Sequence, residues 1–460
     1  MVHDKQFYKT MFRIAIPVAF QSMISLLVVL ADDIMVSSMN NGTYAQAAVS
    51  QVNAVTTFLN ATLLGMIGGS GVLIAQYWGK KDTLRIKMVF SIVTILSVAI
   101  ALLFTVLLKL FPDLLLNLMI RPDEAGTYQL ASDYLSIICL SYLPFALSAA
   151  LQGMLRSIEV VKVTLYTTIV SLLINISLNY ILIFGKLGMP AMGVKGAAIA
   201  TVFARIAELL IVWIYTFKVQ KVISVSPKDL IRTEKWLILD YIRYGLPVGI
   251  TDMQWSLIGM LKAAIIGQMG TLFAAANNIA SSMANLGTMF TFALASGASV
   301  VVGKAVGAGE YDKAKKYSKK IQILFFFIGL LMAAVVFLLR IPFSKMYGSA
   351  NDPQVLSLSV TMISILAVTL VGTSYHASCF VGINRGAGDS RFVAKVDMIC
   401  GWLIVLPTTA LAAFVFKAPL TIVFLCTRID QCFKWFIAFM RLRSNKWIKN
   451  VTRGETVNIQ

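Results

Sequence analysis

Long apolar runs alternate with short polar segments along the whole chain. A helix crosses the hydrocarbon of a bilayer with about 20 apolar residues. Twelve stretches meet that requirement, near 14–33, 46–77, 89–111, 131–154, 160–184, 197–217, 245–268, 272–302, 321–341, 355–381, 393–416 and 418–440. The pattern predicts an all-α integral membrane protein with 12 transmembrane helices.

The polar segments fix an orientation. With the amino terminus on the cytoplasmic side, inward-facing segments carry 29 Lys or Arg and outward-facing loops seven, with four more inside spans. Cytoplasmic loops carry such an excess, so both termini are expected inside. Shifting the count by one span would invert half the loops and erase the bias.

The second half echoes the first at an offset of about 230. Pro17 in IPVAFQSM matches Pro247 in LPVGITDM, Pro112 matches Pro342, and Pro122 nearly matches Pro353. GSGVLIAQYWGKKD resembles SGASVVVGKAVGAGE, and Arg156 matches Arg385. Each unit has an even number of spans, so both copies insert the same way up. The expectation is two six-helix lobes related by a pseudo-two-fold axis along the membrane normal, an arrangement that holds substrate between halves. The lobes are read as residues 1–218 and 241–445, with a cytoplasmic linker at 219–240 and a basic tail at 446–460.

Composition narrows the class. The chain is 58% hydrophobic and 13% charged, more apolar surface than a soluble domain can hide. The net charge of +19 does not indicate nucleic acid, because the basic residues sit in short loops rather than on a polar domain. The five cysteines lie in apolar stretches without a C-x-x-C pair and read as small buried hydrophobes. No cleavable leader is expected, since MVHDKQFYKTMFR runs straight into a span.

No G-x-x-x-x-G-K-[ST] occurs, and no soluble segment is large enough for a nucleotide site. The remaining energy source is a proton or sodium gradient, which requires a titratable or cation-coordinating group at membrane depth. Such groups are costly in lipid and are functional candidates by default. The first span offers Asp32 and Asp33, about 100° apart around the helix. One can face a cavity; alternatively both are solvated at the helix end. Asn175 and Asn179, four apart on the fifth span, share a face and serve either a cation or helix–helix packing. Arg205 and Glu208 are spaced to pair on the sixth span. The seventh span carries Asp252, Gln254, Trp255 and Lys262, the tenth His376, and the twelfth Arg428, Asp430 and Lys434. His376 serves packing or a proton relay. Asp430 and Lys434, four apart, form a neutralising pair or line a cavity. The set Asp252, Gln254, Trp255, His376 and Asp430 marks a candidate substrate cavity.

Five segments carry a family resemblance: IPVAFQSMISLLVVLADDIMVSSM, GGSGVLIAQYWGKKD, LNYILIFGKLGMPAMGVKGAAIATVFAR, YGLPVGITDMQWS and GINRGAGDSR. Over nearly its whole length the chain resembles the multidrug and toxic compound extrusion (MATE) family, in particular prokaryotic DinF-like members with a first-span aspartate. The resemblance implies export of organic cations or drugs in exchange for protons or sodium by alternating access, without a cofactor. It places the coupling carboxylate at Asp32 and its polar partners at Asn175, Asn179 and Thr201, the same four that would hold a sodium ion. Two departures stand out. Position 179 is Asn where some members carry a second acid, and a seventh-span Glu of another branch falls near Trp255. No resident metal and no enzymatic activity are expected: H-E-x-x-H and G-x-S-x-G are both absent. The alternative within the superfamily is a flippase for lipid-linked sugars or other amphiphiles, which would line its cavity with many cations. The expected setting is a bacterial inner membrane, with a monomer acting on small organic molecules.

Overall fold

Apolar stretches in lipid must satisfy every backbone N–H and C=O internally, and a helix does so within one segment. In the structure, a computed structural model, the apolar runs are helical, and no strand occurs among the described residues. Those residues are 2–39, 42–119, 125–230, 232–346 and 352–452, without some side chains near the first two helices and loop ends. Pro122, the Asp33 side chain and tail residues 453–460 lie outside this description.

In the first half the spans are Val2–Ser37, Gly42–Gly79, Thr83–Leu110, Gly126–Ser157, Lys162–Phe184 and Val194–Val219. In the second half a run from Lys235 leads into Leu246–Gln268, followed by Thr271–Gly307, Tyr311–Lys345, Pro353–Arg385 and Ser390–Val415. The last span is broken: Leu420–Cys426, a 3₁₀ turn at Ile429–Cys432, then Lys434–Arg443. Among the described residues nine helices are long and apolar enough to cross a membrane. The first, seventh and twelfth spans fall outside that set. Stretches of π-helix interrupt the later spans at Ser378–Arg385, Ile399–Val405 and Leu411–Val415, which periodicity did not foretell.

Packing divides the chain into two compact units. One comprises Pro17–Ser70 and Thr83–Leu239, the other Met1–Ile16, Gly71–Asp82 and Asp240–Gln460. The start of the first helix and the end of the second therefore belong with second-half residues, a partition that a simple halving of the sequence does not give. The first unit's core includes Val52, Leu59, Tyr134 and Ala198. The second includes clusters around Phe325 and Phe380 and around Ile279 and Leu366. On the outside, Leu103, Leu107, Phe327, Leu331 and Leu338 are exposed, a pattern lipid tolerates and water does not.

The linker is docked rather than free. Its 3₁₀ turn Pro227–Leu230 lies on the third span, with Ser91 Oγ donating to Leu230 O at 2.8 Å. Lys87 Nζ pairs with Asp229 at 3.1 Å. Within the second unit, Gly307 abuts the end of the second span: a Cβ there would lie 1.9 Å from Gln76 O. Small residues at such crossings let backbones meet.

Candidate functional site

The glycine-rich segment between the fifth and sixth spans builds the site. Gly185 takes a left-handed conformation (φ 66°) and caps the fifth span. Met192 N donates to Leu182 O at 2.8 Å, folding the turn back on that helix. At Gly196 a Cβ would sit 2.7 Å from the Leu182 carbonyl, so no side chain fits between the two helices. Their close approach sets Asn175 and Asn179 beside Thr201.

A hydrogen-bonded chain results. Asn179 Nδ2 donates to Asp32 Oδ1, joining the fifth span to the first. The same amide lies 3.3 Å from Asn175 Oδ1. Asn175 Nδ2 in turn donates to Thr201 Oγ1 at 3.4 Å, and Thr201 Oγ1 donates to Ala197 O. Asp32 and Thr201 are half-buried, while both asparagines are buried. Asn179 Oδ1 has no hydrogen-bond partner. Leaving a buried acceptor unmatched costs about 1–3 kcal/mol, so a free oxygen beside a carboxylate is a place for a cation or a proton donor. All four residues named from the sequence resemblance are thus brought together.

A second polar network lies in the same unit. Gln21 Nε2 donates to Gln152 Oε1 at 2.7 Å, and Gln152 Nε2 donates to Glu208 Oε1 at 2.7 Å. Arg205 Nη1 donates to Glu208 Oε2 at 2.7 Å, and its guanidinium stands 4.7 Å from the Phe145 ring. The Arg205–Glu208 pair forms as its spacing indicates. Its extension to Gln21 and Gln152, on the first and fourth spans, had no sequence signal. A cavity of about 360 Å³ connects the networks, bordered by Gln21, Asn175, Gln152, Thr201, Arg205 and Glu208.

In the second half the five candidate residues do not gather. Trp255 and Asp430 line a cavity of about 420 Å³, and the other three are not part of its described lining. Asp252 pairs with Arg385 at 2.8 Å. Gln254 is buried with both amide atoms unmatched. His376 Nδ1 lies 3.1 Å from Gly372 O, with its ring edge-on to Phe380. Asp430 does pair with Lys434, at 3.0 Å, but Lys434 also reaches Asp397 at 2.8 Å and stands 4.2 Å from the Trp255 ring. Asp397 on the eleventh span was not among the candidates, because only the fold brings it near.

Comparisons agree with this architecture. Two solved structures match with a TM-score of 0.85 over 97% of both chains. One, 20% identical, is an outward-facing multidrug resistance MATE family transporter of the MOP superfamily; the other, 21% identical, is a MOP superfamily transporter from Pyrococcus furiosus. The chain shares their twelve-span, all-α fold. Among curated relatives, a "probable multidrug resistance protein NorM" of Halalkalibacterium halodurans is 28% identical over 78% of this chain and 77% of its own length. An "uncharacterized transporter YisQ" of Bacillus subtilis is 24% identical over 97% and 96%. The MatE family matches twice, at residues 17–181 and 247–411, one copy in each half at the spacing of the internal repeat. On that double match the chain belongs to the MatE family of membrane transporters.

Proposed function

We propose that the protein is a secondary antiporter that exports organic cations or drugs in exchange for protons or sodium ions. The observation that carries this reading is the Asp32–Asn179–Asn175–Thr201 chain beside an open cavity, with one acceptor left over. A carboxylate at membrane depth is retained only where it has a task. Asp32 takes up the cation, with Asn179 Oδ1 as a further ligand oxygen or as acceptor for a protonated partner. A sodium ion prefers oxygen ligands, and Asp32, Asn175, Asn179 and Thr201 supply carboxylate, amide and hydroxyl oxygens. Neutralising Asp32 changes what the Asn179 amide can donate to, and so the packing between the first and fifth spans. Residues 1–218 and 241–445 act as the two lobes of an alternating-access cycle. The relatives named as probable multidrug resistance proteins support small-molecule export. The loop charge bias supports a multi-pass protein with both ends in the cytoplasm, and we take it to act as a monomer in a bacterial inner membrane.

The test is transport of ethidium by proteoliposomes under separately imposed proton and sodium gradients. Wild-type protein should concentrate ethidium with at least one gradient, and Asp32→Asn should reduce that response to the passive level. Full gradient-driven transport by Asp32→Asn would remove the proposal.

A further inference from the structure

The cavity of the second half contains two cations, Lys262 and Arg428, that have no ion-pair partner among the described residues. It is bounded by the seventh, eighth and twelfth spans. Lys262 and Arg428 both line it. Asp430, the one acid among the described residues of its wall, is committed to Lys434 and also accepts from Gln431 Nε2 at 2.8 Å. Among the described residues no carboxylate lies within ion-pair distance of Lys262 or Arg428; the Arg428 guanidinium has only the Phe424 ring, 5.7 Å from its centroid. Like charges sharing a low-dielectric space repel strongly, and intramembrane cations normally have partners. Arg428 cannot escape the cost by losing its proton.

The rest of the wall is built to receive, not to repel, an anion. Asn277, Ser281 and Asn285 recur every fourth residue and present one polar face of the eighth span to the cavity. Their amides and hydroxyl, with Gln431, supply neutral donors. Trp255 and Phe424 supply apolar walls. About 420 Å³ is within the range of small-molecule sites. We propose that this cavity is a binding subsite for an oxyanion, a carboxylate or phosphate, borne on an apolar body, with Arg428 as its forked donor and Lys262 as the second charge. This rests on the transporter reading above and specifies it: cargo docking here is zwitterionic or anionic rather than a simple organic cation.

The test uses full-length protein in phosphatidylcholine nanodiscs, with no ion gradient. Polarisation of 5-carboxyfluorescein should show saturable binding that weakens as salt rises. Lys262→Gln and Arg428→Gln should each weaken it roughly tenfold or more, as for a lost charged hydrogen bond. Arg428→Lys, which keeps the charge and loses the fork, should fall in between, and ethidium binding should not weaken in any of them. Displacement of the probe by phosphatidylglycerol in the disc assigns the oxyanion to a lipid headgroup; retention assigns it to a soluble cargo. Absence of saturable wild-type binding, or equal binding by the Lys262→Gln/Arg428→Gln double variant with an unchanged melting temperature, overturns the proposal. Because binding is read at equilibrium, failed coupling in proteoliposomes leaves this result standing, and the reverse also holds.

Discussion

At the scale of single residues, the first unit is organised by amides that reach across helices. Asn179 and Gln152 each bind two partners, so one side chain fixes the angle between spans. Asn175 and Asn179 were legible because spacing of four puts them on one face, and Asp32 because acids are rare in apolar runs. Gln21 and Gln152 were not legible: a glutamine in a span has no local partner, and 131 positions separate this pair. The Asp252–Arg385 pair was hidden for the same reason, with 133 positions between the two. Glu208 likewise has two partners, accepting from both Gln152 and Arg205. Glu208→Gln keeps the shape but removes the charge facing Arg205. It should lower stability by about 1–3 kcal/mol, seen as a lower melting temperature in detergent, with Arg205→Gln added on top restoring part of the loss.

At the scale of elements, two features decide where side chains meet. One is the close crossing of the fifth and sixth spans at Gly196, which the glycine-rich turn announces in sequence. The other is the docking of the linker on the third span, which composition alone reads as a loop. Burial works against the Asp229 carboxylate, but the Ser226 backbone N–H and the Lys87 ammonium outweigh it and hold its pKa below the usual carboxylate range. A depressed pKa means that the anchoring is fully present above the ordinary carboxylate value of about 4 and fades as pH falls through the lowered value. Limited proteolysis should therefore leave the 226–230 segment protected at neutral pH and cut it faster under acid conditions. Asp229→Asn should be cut readily at neutral pH; protection equal to wild type would show that Lys87 and Asp229 do not hold the turn. The π-helical stretches in the tenth and eleventh spans had no counterpart in the hydrophobic pattern, since one extra residue per turn leaves the composition of a run unchanged.

At the scale of the whole molecule, the number of crossings was legible from apolar length and loop charge, and the duplication from residues recurring 230 positions apart. The grouping of chain segments into packed units was not, because it depends on which helix ends touch. The same limit hid the Asp397 carboxylate that shares Lys434 with Asp430. That shared ammonium has a consequence for how the protein is made. Arg428, Asp430 and Lys434 each cost about 2.5–3.5 kcal/mol at the centre of a lone segment entering a bilayer, so residues 418–440 should not be retained by the translocon on their own. In a glycosylation-mapping assay in microsomes, that segment alone should fail to span, and should span once residues 390–415 precede it. Asp397→Ala should abolish the rescue, and rescue that survives it would assign the help to apolar contact instead. The final crossing would then be licensed by the one before it, and a chain cut short between them would leave an orphaned acid for quality control to find.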